Sequence, residues 1–217
     1  MVFTTSTETS ASLYEYCMDT LEEKAYVEES VRIENRMCEM FHSHTDSQSR
    51  ERILNEFSST QSRIRLLFST VKIGMGVNLP DVDLVIIFGL PRDSVITLWQ
   101  EAGRAARQIN HGFCLIYATN KSVNQVEDPH LKELVDNKDS LTCHREMILR
   151  CFVLKGMKAP TYVHEQCKGD CSAICSCSKC RCCGNCSKRC DCRMSKSVMD
   201  QVRAVVYNWL WFLVVTL

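Results

Sequence analysis

The chain has 217 residues, 45% of them hydrophobic and 24% charged, which is enough apolar content for a buried core and length for one full domain plus a smaller one. Lys and Arg together number 26, as do Asp and Glu, so the chain is not a globally basic nucleic-acid binder and any surface for an anionic partner must be a local patch. Ten of the 15 cysteines fall between Cys167 and Cys192; the polar stretch after Met1-Val2-Phe3 carries no cleavable export signal, so that density predicts metal ligation rather than disulfides.

In chain order, Val2-Phe3-Thr4 reads as the end of a short buried strand. Leu13, Tyr16, Cys17 and Leu21 recur at helical spacing and predict a helix over 10–23. A second helix is expected over 46–57, with Asp46 or Ser47 as N-cap and Ile53, Leu54 and Phe57 facing inward. Ile64 to Phe68 reads as a strand, followed by a loop carrying Gly74 and Gly76. The continuous apolar run Leu84-Val85-Ile86-Ile87-Phe88 is what a central parallel strand covered on both faces requires. Gly89-Leu90-Pro91 breaks it, and Ser94 caps a helix predicted to run through Trp99 to about Arg107. Phe113 to Tyr117 is a further strand. Strands alternating with helices predict an open α/β sheet. Beyond Asn120 the pattern turns helical and charged, then cysteine-rich. The last 13 residues, VVYNWLWFLVVTL, are nearly all apolar but too short to span a bilayer comfortably.

The segment QEAGRAARQ, residues 100–108, sets Arg104 and Arg107 three apart, which on a helix places them on one face. Arginine is always charged and its planar fork matches phosphate oxygens. In phosphoryl transfer such a residue stabilises charge on the γ-phosphate and is worth ~10³ to 10⁵ in rate. Gly103, Ala105 and Ala106 leave clearance for an opposing surface. Alone, such a helix is more often a solvated face, and a glycine pair after a strand more often a turn. Their joint order and spacing favours function.

That order, from Leu66 to Gln108, resembles the second motor lobe of RecQ-family DNA helicases of superfamily 2. Thr70, Gly74-Met75-Gly76, Pro80-Asp81-Val82, Pro91-Arg92 and Gln100 to Arg107 stand where that family has its successive motifs. Upstream, MFHSHTDSQSRERILNEF is similar to the family's histidine-containing loop and following helix. Downstream, CHREMILRCF is similar to the stretch opening its zinc-binding subdomain. The resemblance implies a RecA-like open parallel sheet flanked by helices over 1–125, a small helical, cysteine-rich zinc-binding region over 126–195, and an apolar tail over 196–217. It implies ATP with Mg²⁺ as substrate and cofactor, single-stranded or forked DNA as partner, 3′-to-5′ unwinding in recombination and repair, no membrane association, and a nuclear location. It assigns Arg104, Arg107 and Gln100 to the catalytic nucleotide contacts, and Thr70, Gly74, Gly76 and Asp81 to the loop coupling nucleotide to DNA. His42, Ser43 and Thr45 fall where the family meets DNA phosphates. The family usually has glycine where this chain has Ala106.

No Gly-x-x-x-x-Gly-Lys-Ser/Thr loop occurs in the sequence, nor an Asp-Glu pair placed for Mg²⁺ and water activation. Both belong to the first motor lobe, so an expectation follows that the chain is half of a motor and needs a first RecA-like lobe supplied elsewhere. The alternative is a non-catalytic, zinc-stabilised nucleic-acid-binding remnant or a regulator of an intact helicase.

For the metal, Cys180-x-x-Cys183-x-x-Cys186 has the spacing of a tight zinc knuckle, and Cys143 would complete four thiolates around Zn²⁺. Cys167, Cys171, Cys175 and Cys177 form a possible second group, as do Cys182, Cys190 and Cys192. Residues 164–196 carry seven Lys/Arg against three Asp/Glu, consistent with weak phosphate contact.

Overall fold

The computed structural model describes residues 1–59, 61–70, 82–105, 112–118, 120–137, 142–159, 177–179 and 182–190. The chain divides into two compact units, one of residues 1–91 and 96–124, the other of residues 92–95 and 125–217.

The first unit is built on five parallel strands: β1 (Val2–Thr4), β2 (Cys38–Phe41), β3 (Leu66–Thr70), β4 (Leu84–Phe88) and β5 (Phe113–Tyr117). Their order across the sheet is β2-β3-β1-β4-β5. Helices α1 (Thr7–Leu21), α2 (Ser47–Ser58), α3 (Val95–Ala102) and α4 (Asn120–Asn124) flank it. Parallel neighbours cannot be joined by hairpins and need crossover connections; along the chain, α1 lies between β1 and β2, α2 between β2 and β3, and α3 between β4 and β5. β1 sits at the centre, with Thr4 opposite Thr70 on one side and Phe88 on the other. Phe3, Leu67, Phe68, Val85, Ile87, Leu90 and Leu98 are buried and form the core around it.

Two helix starts follow from their caps. Ser6 accepts from the Thr9 amide and starts α1 at Thr7, three residues before the position that apolar spacing indicates. Asp46 accepts from the Ser49 amide and starts α2. Both satisfy amides that the helix itself leaves without partners.

Several expectations are corrected. β3 begins at Leu66 rather than Ile64; Ile64 is buried outside the ladder, its amide bonded to the Ser62 hydroxyl. β4 is not sealed on both faces: Val85 and Ile87 are buried, whereas Leu84, Ile86 and Phe88 are half-buried. α3 ends at Ala102, not near Arg107, because the Arg104 and Ala105 amides bond to the Glu101 and Ala102 carbonyls, tightening the chain into three-residue turns. The strand β2 has no counterpart in the sequence reading.

The second unit contains α5 (Pro129–Asp136), α6 (His144–Arg150) and α7 (Gly184–Lys188). Pro129 occupies the first turn of α5, where its missing N–H costs nothing. Leu131, Leu134 and Ile148 supply its apolar core. No helix among the described residues is long and apolar enough to cross a membrane.

Candidate nucleotide, nucleic-acid and metal sites

Open parallel sheets bind ligands beyond the carboxyl ends of their strands. That edge here gathers the turn after β2, the end of β3, the Thr5–Ser6 turn after β1 and Gly89 after β4. Gly89 has φ of +89°, its amide donates to the Tyr117 carbonyl, and an added Cβ would meet Thr5 Cγ2 at 3.1 Å. Glycine is therefore required there by both backbone and space.

Thr70, the last residue of β3, is half-buried, and its carbonyl accepts from the Ser69 hydroxyl at 2.7 Å. Gly74, Gly76 and Asp81 of the same coupling loop lie outside the described residues.

His42, Ser43 and Thr45 form a tight turn directly after β2. The His42 amide donates to Thr45 Oγ1 at 2.9 Å, and the Thr45 amide returns to the His42 carbonyl at 3.1 Å. The His44 amide donates to His42 Nδ1 at 3.1 Å, so a neutral His42 ring carries its proton on Nε2 and can donate outward. Beside this turn runs an open groove of about 440 Å³ lined by Thr45, Ser47, Arg50, Glu51, Leu54 and Asn55. Arg50 donates to the Ser43 carbonyl at 3.3 Å, and its guanidinium lies 5.6 Å from the Phe41 ring centroid. The held Arg50 cation can meet an anion at the turn, although Glu51 and Leu54 also line the groove. Sequence reasoning missed Arg50; its signal was position, one helical turn past the Asp46 cap.

Gln100 is exposed on α3, and Arg104 is half-buried in the turn that follows. Gly103 lets this turn close, since a Cβ would stand 3.1 Å from the Trp99 carbonyl oxygen. Arg104 lies beyond the end of α3, and Arg107 lies outside the described residues.

In the second unit, Cys143, Cys182, Cys183 and Cys186 place their sulfurs within 4.8 Å of one another. Cys143 precedes α6, and Cys183 caps α7, accepting the Cys186 amide at 3.5 Å. Cys143 Sγ lies 3.4 Å from that of Cys182 and 4.0 Å from that of Cys183. Those separations bracket the ~3.8 Å edge of a tetrahedron with metal–sulfur bonds of ~2.3 Å. Four soft donors in that arrangement fit zinc. The hydrogen bond from Cys182, helped by the amides of Cys186 and His144, outweighs burial and lowers the Cys183 thiol, favouring its thiolate. Cys182, donating to it, is pushed up, and burial carries Cys186 up to about 12. Arg189 Nη2 lies 3.9 Å from Cys186 Sγ and offsets thiolate charge. Asn185 braces the group, donating to the carbonyls of Asn137 and Thr142 at 3.1 and 3.0 Å.

The group thus brings together Cys143, Cys183 and Cys186. Cys180 lies outside the described residues. Cys182 sits with these three, and the adjacent pair Cys182-Cys183 was the overlooked signal; Cys192 of the other grouping lies outside the described residues.

Residues 1–108 match the family described as "Helicase conserved C-terminal domain". Those residues are just under half of the chain. The chain is 33% identical over 103 residues to "ATP-dependent DNA helicase Q-like 4B" of Arabidopsis thaliana, covering 47% of this chain and 8% of that protein. It is 26% identical over 141 residues to "ATP-dependent DNA helicase RecQ" of Haemophilus influenzae, covering 58% and 22%. To "Putative ATP-dependent RNA helicase R290" of Acanthamoeba polyphaga mimivirus it is 23% identical over 152 residues, covering 63% and 27%. The chain therefore spans about a quarter or less of the length of these relatives. The matched region is thus similar both to proteins named as ATP-dependent DNA helicases and to one named as a putative ATP-dependent RNA helicase. A solved structure, "Structure of Mycobacterium smegmatis helicase Lhr bound to ssDNA and AMP-PNP", aligns with a TM-score of 0.46 and 21% identity over 57% of this chain and 15% of that one.

Proposed function

We propose that the chain is the second motor lobe of a RecQ-like, 3′-to-5′ ATP-dependent DNA helicase that translocates on single-stranded or forked DNA in nuclear recombination and repair. The observation that carries this reading is the sequence of features along the chain: a helicase C-terminal domain, then a unit holding four convergent thiols. ATP and Mg²⁺ would be held by a first RecA-like lobe, and closure of that lobe would bring the γ-phosphate to Arg104, Arg107 and Gln100. The Thr70 loop would couple closure to DNA. His42, Ser43 and Thr45 would hold the tracking strand, with His42 Nε2 and Arg50 as donors to its phosphates. Zinc, when bound, supplies a closed tetrahedral crosslink; Cys143, Cys182, Cys183 and Cys186 would hold it, and their role is to fold the second unit rather than to react.

The test is reconstitution. The purified chain is mixed with a separately produced RecQ first lobe, and ATP hydrolysis is measured with and without single-stranded DNA. DNA-stimulated turnover is expected, and Arg104→Ala should cut it ~10³-fold or more while leaving DNA binding in place. Strand displacement on 3′- and 5′-tailed duplexes reads the polarity. DNA binding without turnover at saturating first lobe would overturn the motor reading in favour of a zinc-stabilised binding module or regulator.

A further inference from the structure

Cys177 and Cys190 are separated by 13 residues, yet their sulfurs lie 3.5 Å apart. Neither belongs to the four-thiol group around Cys143. A disulfide requires sulfurs at about 2.05 Å, so this pair is not one. Nor is 3.5 Å an arbitrary separation: it falls between the 3.4 and 4.0 Å sulfur contacts within the four-thiol group and near the ~3.8 Å edge of a zinc–thiolate tetrahedron. Cys190 is buried and Cys177 half-buried, and as neutral thiols the two are within reach of an S–H···S hydrogen bond. Two thiolates would repel unless a cation lay between them.

The local chain explains how the pair is set apart. Helix α7 has Cys183 at its start and Cys186 within it, both directed to the first group. Two residues past its end, the Cys190 amide bonds to the Ser187 carbonyl at 3.2 Å, fixing Cys190 beyond the C-terminus of the same helix. One short helix thus presents sulfurs to two separate points, and Arg189, between them in sequence, is anchored on the Asn185 carbonyl at 3.2 Å.

We propose that Cys177 and Cys190 are two ligands of a second thiolate metal site, distinct from the Cys143 group, that takes a tetrahedral closed-shell divalent cation, zinc. Binding releases the protons of both thiols, and the ion staples the segment at Cys177 to the end of α7. The RecQ resemblance calls for one zinc; this pair calls for another.

Counting ions tests it. The reduced full chain is loaded with excess zinc, desalted and weighed by native mass spectrometry; cobalt loading gives the sulfur-to-metal charge-transfer band in parallel. The expected result is two zinc ions per chain, falling to one in C177S/C190S with a weaker cobalt band. A C143S/C186S variant should retain the other ion; if it does not fold, the C177S/C190S count decides alone. One zinc per chain in the unaltered protein overturns the proposal, as do two zinc ions retained in C177S/C190S, or a mass two hydrogens lower marking a disulfide in that pair. Loss of all zinc binding would remove both metal sites and leave the motor reading to the ATPase test.

Discussion

At the scale of single residues, Asp128 shows how one carboxylate fixes a local structure. Its Oδ2 accepts the Val95 amide at 2.7 Å, and its Oδ1 accepts the His130 amide at 2.8 Å as the N-cap of α5. Desolvation works to raise its carboxyl, but the amides of Val95, His130 and Leu131 outweigh it and hold the group below the ordinary 3.8. A depressed carboxylate contributes stability that is present above the unfolded pKa and lost as pH falls through the folded one. Asp128→Ala should therefore lower the stability of the second unit by about 1 kcal/mol near neutral pH. Asp128→Asn, which can still cap, should keep most of that stability and flatten its loss in acid; an unchanged acid limb in denaturant titrations would refute the assignment. Gly89 is governed by backbone instead. Gly89→Ala forces an L residue to φ of +89° with Cβ 3.1 Å from Thr5 Cγ2, and about 1–3 kcal/mol of destabilisation is expected, read from the urea midpoint. A midpoint unchanged within error would mean the turn relaxes.

At the scale of elements, what was legible in the sequence depended on whether side-chain pattern or tertiary contact decides the structure. β4 and β5 are read correctly because five consecutive apolar residues leave few alternatives. β2, Cys-Glu-Met-Phe, escapes because Glu39 interrupts its apolar pattern. In the fold Glu39 is buried and paired with Arg52 of α2 at 2.7 Å, an ion pair without good hydrogen-bond geometry at Oε1. No local pattern encodes that partner 13 residues away. The end of α3 escapes for a related reason: an Arg-Ala-Ala-Arg run favours helix, yet the turn at Gly103 to Ala105 closes earlier. In the metal group the spacing rule points to Cys180, whereas only the fold shows Cys182 beside Cys143. The Glu39 pair makes a prediction of its own. Burial already raises the Glu39 carboxyl, and Arg52 and Arg36 pull against it. Arg52→Ala removes the main counterweight, so the Glu39 pKa rises further and the ionised form becomes the costly one. The stability gap between Arg52→Ala and the parent should be small in acid, where Glu39 is protonated, and widen as pH rises to a plateau of about 1–3 kcal/mol. A gap independent of pH would show that Arg52 acts through packing alone.

At the scale of the whole molecule, the two units rest on different sources of stability. The first buries Phe3, Leu67, Phe68, Val85, Ile87 and Leu98 around a five-stranded sheet, and burial of this kind needs no ion. The second has short helices and a small apolar core of Leu131, Leu134 and Ile148, and its buried residues also include Cys143, Cys186 and Cys190; on the zinc reading proposed above, ion binding should supply part of its folding free energy. Hydrogen exchange on the zinc-loaded chain, with and without a strong chelator, should separate them. Chelation should leave the amides of β1, β3 and β4 protected, because nothing in their ladder depends on the metal. The amides of α7 should lose protection, together with those of α6 next to Cys143, since their order depends on thiolates that repel once the cation is gone. Acid should act as the chelator does: below the range in which thiolates hold zinc, protons displace the ion, while protection of the sheet persists. Loss of protection in β1 and α7 at the same chelator concentration would mean that one cooperative structure carries both, and that metal binding stabilises the sheet as well as the second unit.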